Sequence, residues 1–299
     1  MNGTSGSDLR ARLPYQSIVD RPRLKLPGGA RVAVWCLVNV EVWDPAGAMP
    51  RAVLPPPMGK SLLPDVPNWS WHEYGMRVGF WRLLDALRKR GMPATLAVNG
   101  QACTVYEEAC RAALAAGWEF MGHGFVQRPM HLVEDQADAI RRTVAEITRF
   151  TGRAPVGWES PGLTETADTL EHLVDAGIRY VADWVLDDQP LRLQTARGPI
   201  TSIPYSVELN DVVISAVQLH SSDEILKRGK AQFDRLYQEG EESARVMAIT
   251  LHPYLSGVPH RIGYVEQLYD YILSHEGVVV WTGEQILQWY EQEKAGEAT

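Results

Sequence analysis

The sequence predicts a single α/β domain of the barrel type. Three observations support this fold class: a long buried strand near the N-terminus, a regular alternation of strand and helix patterns from residue 94 onward, and glycines at the helix-to-strand joins. With 299 residues, of which 45% are hydrophobic and 22% charged, the chain is long enough for one large domain with a substantial core. The joining glycines, which suit the positive φ of such turns, are Gly91, Gly117, Gly152, Gly177 and Gly277.

The first strand lies within residues 31–43, whose sequence is RVAVWCLVNVEVW. Its nearly unbroken apolar run is typical of a strand that is buried on both faces of a parallel sheet. Asn39 and Glu41 are two residues apart and therefore point to the same side. Because a carboxylate at the end of a buried strand is costly to desolvate without a partner, we expect Glu41 to be functional.

Two other segments flank this strand. Residues 1–30 are rich in glycine, serine and proline and are expected to form an N-terminal surface extension, with residues 31–299 forming the barrel. The loop from Asp44 to Asn68 contains seven prolines, and its length predicts a wall of the site or an oligomer contact. The helical pattern that follows ends at Gly91.

The rest of the chain alternates between the two element types. Strands are expected at Ala94–Asn99, Trp118–Gly122, Pro155–Glu159, Ile178–Asp183, Arg245–His252 and Gly277–Trp281. Helices are expected at Thr104–Ala116, Glu134–Thr151, Glu165–Ala176, Asp223–Glu239 and Tyr264–Ser274. Residues 199–204 and 212–218 predict a β-hairpin, and Thr282 to Gln285 form a capping box that opens the last helix.

Polar residues recur at the carboxyl ends of the predicted strands, where the catalytic groups of α/β barrels lie. These end residues are Glu41, Asn99, His123, Glu159, Asp183, His252 and Thr282. A nearly complete ring of acids, histidines and amides predicts an active site. The other histidines, at positions 72, 131, 172, 220, 260 and 275, are expected on the surface.

Composition and missing sequence signatures argue against several classes of partner and activity. The net charge of −8 disfavours a nucleic acid or an anionic membrane as a partner. The chain has no apolar run of membrane-spanning length and no apolar signal-peptide core, so we expect a cytoplasmic protein. The three cysteines are expected to be reduced packing residues. Nucleotide-binding, serine-hydrolase and zinc-protease signatures are absent from the sequence.

Four short motifs give the sequence a family resemblance. The acidic strand end at Glu41, Gly-His-Gly around His123, the Pro161-Gly162 turn and Leu-His-Pro around His252 resemble the polysaccharide deacetylase superfamily. This resemblance implies a single distorted (β/α)7 barrel of the polysaccharide deacetylase type. The segments Glu73–Arg82, Pro204–Asp211 and Asp187–Pro190 are similar to those of its cyclic-amide branch, the allantoinase-like and cyclic-imide-hydrolase-like proteins.

The sequence departs from the sugar deacetylases at their metal site. Those enzymes use an Asp-Asp pair and two histidines four residues apart, whereas here Glu41 and Val42 occupy the pair's positions and Gln127 follows His123 by four residues. A zinc site needs at least three protein ligands. We therefore expect no metal cofactor. The alternative is Zn or another divalent metal held by Glu41, His123 and Glu159.

The expected activity is hydrolysis of a non-peptide carbon–nitrogen bond that opens a small cyclic amide, imide or ureide. Glu41, with its pKa raised by the apolar strand, would act as general base. His123 and a backbone amide near Gly124 would stabilise the oxyanion, and His252 would protonate the leaving nitrogen. The residues expected to bind substrate are Glu73, Arg77, Glu159, Asp183, Tyr205 and Asn210.

Three alternatives remain open at this point. The chain could be a metal-dependent N-deacetylase of an amino-sugar N-acetyl substrate, a glycosidase using Glu41 and Glu159, or a binding protein without catalysis. The expected partner is a small-molecule substrate. The proline-rich loop and the predicted hairpin suggest a homo-oligomer, either a dimer or a tetramer.

Overall fold

The core of the fold is one curved sheet, seen in a computed structural model that describes residues 9–297. Within those residues the sheet has nine strands: β1 Val32–Val40, β2 Thr95–Val98, β3 Glu119–Gly122, β4 Gly157–Trp158, β5 Tyr180–Val181, β6 Leu191–Leu193, β7 Ile200–Ser202, β8 Arg245–Leu251 and β9 Val278–Val280. All of them except β6 and β7 lie in segments that the sequence predicts as strands of the barrel.

The strand order gives the sheet the shape of an incomplete barrel. Strands β7, β5, β4, β3, β2, β1 and β8 are neighbours in that order, and all of these pairings are parallel. Strand β9 also pairs with β1 in parallel, and β6 pairs with β7 antiparallel. A single parallel bridge between Asn210 and Thr250 links the segment after β7 to β8. The predicted barrel of the (β/α)7 type is confirmed.

Helices cover the sheet on its outside. In the described residues they are α1 Leu9–Arg12, α2 Val66–Tyr74, α3 Phe80–Lys89, α4 Ala102–Val105, α5 Glu107–Ala115, α6 Gln136–Thr151, α7 Thr169–Asp175, α8 Glu224–Glu239, α9 Pro259–Leu273 and α10 Gly283–Glu297. A π-helical segment, Gly75–Gly79, joins α2 to α3. Helix α9 begins five residues before its predicted start, at a proline that suits the first helical turn.

Two local predictions about turns and caps are confirmed. The five predicted join glycines all have positive φ, between 63° and 86°. The capping box of α10 is reciprocal: the Thr282 N–H donates to Gln285 Oε1 (2.9 Å), and the Gln285 N–H donates to Thr282 Oγ1 (3.4 Å).

The predicted hairpin is wrong in its second strand. Residues 199–204 contain β7, but its antiparallel partner is β6, which precedes it in the chain. Residues 212–218 contain the π-helical segment Val213–Val217, in which the Gln218 N–H donates to the Val213 carbonyl (2.8 Å). The sequence pattern is ambiguous here because a short apolar run fits a strand and a buried helix equally well.

The buried strand β1 lies at the centre of the core. Every residue from Val32 to Val40 is buried, because β1 is flanked by β8 on one edge and by β2 and β9 on the other. Cys36, Cys103 and Cys110 are buried and unpaired, as expected for packing residues. Residues 9–30 run over the barrel and insert Leu24 and Leu26 into its core, whereas residues 1–8 of the predicted extension lie outside the described residues.

The helices of the described chain are all too short or too polar to cross a lipid bilayer. The cytoplasmic location stays a prediction from the sequence.

Candidate active site

The carboxylate of Glu41 lies at the floor of a cavity of about 650 Å³. Strand β1 ends at Val40, so Glu41 is the first residue past the carboxyl end of the strand, and it is 4% exposed. Trp43 Nε1 donates a hydrogen bond to Glu41 Oε2 (2.6 Å), and Gln127 Nε2 donates to Oε1 (2.9 Å). The carboxylate is therefore held from two sides while its residue still lines the cavity.

Both predicted catalytic histidines face this carboxylate. His123 follows β3 and His252 follows β8, so the carboxyl ends of parallel strands on either side of β1 bring them to the same mouth of the barrel. Their Nε2 atoms lie 3.7 Å and 3.5 Å, respectively, from Glu41 Oε1. The three residues that the sequence predicts as catalytic thus form one cluster.

The ionisation of Glu41 differs from the expectation. Burial does raise the pKa of this carboxyl, but the nearby imidazoles of His123 and His252 stabilise its charged form, outweigh burial and hold the pKa well below its usual value. The predicted upward shift was wrong because the strand supplies only the apolar side of the environment. Glu41 is a carboxylate at neutral pH.

His252 is strongly biased toward its charged form. Burial alone lowers the pKa of this imidazole, but Asp211 and Glu41 together raise it to about 10. His252 Nδ1 donates to Asp211 Oδ1 (2.6 Å), and the His252 backbone N–H donates to Asp211 Oδ2 (2.7 Å). Ser256 Oγ also donates to Asp211 Oδ2 (2.5 Å). This geometry fixes the ring with its Nε2 toward Glu41 and keeps a proton available there.

Sequence reasoning missed the role of Asp211. The segment Pro204–Asp211 was singled out for its resemblance, but the pairing of Asp211 with His252 joins residues 41 positions apart. The signal was an acidic residue directly after Asn210, but the same segment also contains Glu208, so the pattern does not single out Asp211. Nothing in the local pattern shows that the barrel brings it to the end of β8.

His123 is oriented by the backbone of the adjacent strand end. Its Nδ1 donates to the Glu159 carbonyl oxygen (2.7 Å), which leaves Nε2 buried without a hydrogen-bond partner and 3.7 Å from Glu41 Oε1. Asn99 supports this strand end by donating to the His123 carbonyl and accepting the Val42 N–H (2.8 Å). Burial lowers the pKa of His123, but Glu41 and Glu159 overcome this effect and raise it.

A buried histidine that was expected on the surface supports the other side of Glu41. His72 is 1% exposed, and its ring stacks on Trp43 with centroids 4.4 Å apart. Burial lowers the pKa of His72 to about 4, so it packs as a neutral ring. The surface expectation was wrong because α2 turns this residue inward beneath the indole that donates to Glu41.

The expected substrate-binding residues separate into two groups. Glu159, Tyr205 and Asn210 line the cavity. Burial raises the pKa of Glu159, whose Oε1 accepts a hydrogen bond from Asn39 Nδ2 (2.9 Å). Asn210 Nδ2 donates to the Tyr205 hydroxyl (2.8 Å), which ties these two cavity residues together.

Glu73, Arg77 and Asp183 do not line this cavity. Glu73 and Arg77 are four residues apart on one helical face, and Arg77 Nε lies 3.8 Å from Glu73 Oε2. Glu73 also accepts a hydrogen bond from the Tyr106 hydroxyl. The Arg77 side chain is 76% exposed. Asp183 accepts the Ser160 N–H (2.6 Å) behind the cavity wall. The structure does not place these three residues on the cavity, and their expected role in binding substrate stays a prediction.

The residues around Glu41 do not match a zinc site. Among residues 9–297, no group of three or more histidine, cysteine, aspartate and glutamate side chains is arranged to hold a metal ion. Val42 offers no donor, and Gln127 places its amide nitrogen on Glu41. A tetrahedral zinc site needs three such ligands. The alternative set of Glu41, His123 and Glu159 is thus not assembled around one point.

Comparisons with known proteins place the chain in a family. The polysaccharide deacetylase profile matches residues 71–181. A Schizosaccharomyces pombe protein assigned to the polysaccharide deacetylases is 30% identical over 244 residues, which cover 73% of this chain and 74% of that protein. A peptidoglycan deacetylase of Helicobacter pylori is 24% identical over 235 residues, which cover 67% of this chain and 80% of that protein. The chain belongs to the polysaccharide deacetylase family.

Two solved structures resemble the whole barrel. A Pseudomonas aeruginosa PAO1 structure, also assigned to the polysaccharide deacetylases, has a TM-score of 0.81 and 28% identity, covering 92% of this chain and 95% of the other. The structure of Puue allantoinase has a TM-score of 0.81 and 25% identity, covering 93% of this chain and 97% of the other. The protein is a hydrolase that acts on carbon–nitrogen bonds other than peptide bonds.

Proposed function

We propose that this hydrolase opens a small cyclic amide, imide or ureide, with Glu41 as general base. The observation that carries the proposal is the cluster of Glu41 Oε1 with the Nε2 atoms of His123 and His252, at 3.7 Å and 3.5 Å, on the floor of a cavity. A volume of about 650 Å³ is typical of pockets for small molecules. The likeness to an allantoinase supports the same reaction class.

The proposed reaction begins with water beside Glu41. The carboxylate accepts a proton from water as it attacks the ring carbonyl. His123, through Nε2, stabilises the oxyanion of the tetrahedral intermediate, together with a backbone N–H near Gly124. His252 then donates its proton to the leaving nitrogen, and the ring carbon–nitrogen bond breaks. Asp211 holds His252 in place: its Oδ1 accepts from the ring Nδ1, and its Oδ2 accepts from the His252 backbone N–H.

The low pKa of Glu41 affects how this base works. A carboxylate with a low pKa is a weak base. Proton transfer from water to Glu41 therefore becomes favourable only as the tetrahedral intermediate forms and the nearby imidazoles stabilise the Glu41 carboxylate less. Imides and hydantoin-like rings have better leaving groups than N-acetyl sugars. Such substrates require less from the base, and no step here needs a metal.

Substitution of the base and the acid tests this assignment. Glu41→Gln and His252→Ala should each lower kcat by at least ~100-fold on the best substrate among succinimide, dihydrouracil, hydantoin and allantoin, because each removes an acid/base group. His131→Ala, which changes an exposed histidine outside the cavity, is the matched control. Turnover like that of the wild type in both active-site variants would end the assignment.

A metal-dependent N-deacetylase is the second candidate. It is favoured by the family profile and by the peptidoglycan deacetylase among the relatives. This function predicts stoichiometric zinc in the purified protein, loss of activity with chelator, and release of acetate from N-acetylated amino sugars. The departures at Val42 and Gln127 count against it.

A further inference from the structure

The cavity contains two guanidinium groups that the proposed mechanism does not use. Arg51 and Arg128 both line the cavity, and both are exposed at its rim. Neither side chain forms an ion pair with a carboxylate in the described part of the chain; Arg51 Nη1 donates only to the Pro50 carbonyl (2.8 Å). Other arginines do find such partners, as Arg12 does with Glu171 (2.9 Å).

A shortage of carboxylates does not explain why these two arginines lack ion pairs. The chain has 37 acidic and 29 basic residues, so carboxylates are in excess. One carboxylate, Asp44, also lines the cavity near its rim, but its Oδ1 accepts the Ala46 N–H of its own turn (2.9 Å). Two exposed cations that line one cavity without a carboxylate partner in the described residues point to negative charge on the ligand.

We propose that Arg51 and Arg128 bind a carboxylate carried by the substrate ring, so that the preferred substrate is an acidic cyclic amide or ureide. This inference rests on the proposed function. The planar guanidinium matches a carboxylate in a two-pronged geometry, which makes arginine well suited to this task. The ionised Glu41 on the floor repels the same group. The substituent is therefore directed to the rim and the scissile amide to Glu41 and His252.

A pair of rings that differ only in the carboxylate tests the proposal. The probes are dihydroorotate and dihydrouracil, with kcat/KM measured for wild type, Arg51→Gln and Arg128→Gln. Arg192→Gln, on β6 and outside the cavity, is the matched control. We expect wild type to prefer dihydroorotate by at least ~10-fold, and each cavity variant to reduce that preference ~10-fold, about 1.4 kcal/mol, mainly through KM. Added salt should weaken the preference, because the rim is exposed.

Equal rates on the two rings in wild type, or a preference that survives both substitutions, would overturn the inference while leaving the proposed function in place. If neither ring is hydrolysed, thermal stabilisation separates the two ideas. Stabilisation of wild type by dihydroorotate, lost in Arg51→Gln, would retain the anion site even without turnover. If dihydroorotate does not raise the thermal stability of wild type, the proposed anion site is overturned as well.

Discussion

At Glu41 two opposing effects set the charge of the site. Desolvation favours the neutral acid, whereas the imidazoles of His123 and His252 favour the carboxylate, and the imidazoles dominate. The same interactions raise the pKa of His252, because each partner stabilises the charged form of the other. The resting site is thus a carboxylate facing an imidazolium, which is the proton arrangement that the proposed reaction needs.

We expect deprotonation of His252 to cause the fall of kcat/KM at alkaline pH. Since this residue must carry a proton to act as general acid, kcat/KM should fall as pH rises through about 10. Asp211→Asn removes the negative charge that raises the pKa of His252, so this fall should move to lower pH. The measurement is kcat/KM against pH for wild type and variant, with Asp44→Asn as a control in a cavity residue that does not contact His252. A fall of kcat/KM at the same pH in Asp211→Asn as in wild type would contradict the role of His252 as the general acid.

The sequence predicted which residues meet at this site but not their charges. Glu41, His123 and His252 could be identified because each ends an apolar strand, and strand ends converge in a barrel. The direction of the Glu41 pKa shift could not be predicted from the sequence, because it depends on distances of 3.5–3.7 Å between residues that are remote in sequence. Asp211 was missed for the same reason.

At the scale of elements, two glycines set how closely the π-helical segment approaches the active site. Gly75 and Gly79 lie four residues apart on one face, and a Cβ on either would overlap the backbone of Pro253 or Tyr254, immediately after His252. The sequence singled out this segment for Glu73 and Arg77. The structure instead assigns it a packing role, with the glycines against the chain that carries His252.

Substitution of one of these glycines should affect both stability and activity. Gly79→Ala places a methyl group against the Pro253 carbonyl oxygen and should lower the free energy of unfolding by about 1–3 kcal/mol, with a fall in kcat as His252 shifts. Gly263→Ala, in α9 with open space around its Cβ position, is the control and should raise stability by about 0.5–1 kcal/mol. Urea unfolding and steady-state kinetics measure these effects. A Gly79→Ala variant as stable and active as wild type would contradict this role.

Element prediction succeeded where patterns were long and failed where they were short. Strands β1 and β8, with nine and seven buried residues, were identified from their apolar runs. The strand prediction for residues 212–218 is wrong because their five apolar residues fit the period of a helix and of a strand equally well. The three-residue strand β6 has an exposed arginine at its centre and gave no strand signal of its own.

At the scale of the whole molecule, the proline-rich loop from Asp44 to Asn68 is the clearest candidate for assembly. Its exposed large apolar side chains are Val53, Leu54, Met58, Leu62, Leu63 and Val66. Apolar side chains clustered on an exposed loop suit contact with another chain. The loop also supplies Gly47, Pro50 and Arg51 to the cavity wall, so assembly and the site would share one segment.

The expected homo-oligomer can be tested on this loop. Light scattering with size-exclusion chromatography should show a dimer or tetramer, and the double change Leu62→Glu and Leu63→Glu should shift it toward monomer, because buried charge would oppose the contact. Val19→Glu, at an apolar residue that is 83% exposed and outside the loop, is the control. A wild-type monomer at micromolar concentration would refute the expectation.

The proposed reaction has Glu41, His123 and His252 open a small ring without a metal ion. The most direct measurement is turnover of the best cyclic substrate by wild-type protein, with metal content determined on the same sample before and after treatment with a chelator. We expect hydrolysis at an unchanged rate in protein that retains far less than one metal ion per chain. Stoichiometric metal in the active sample, with turnover lost on its removal and restored on its return, would contradict it.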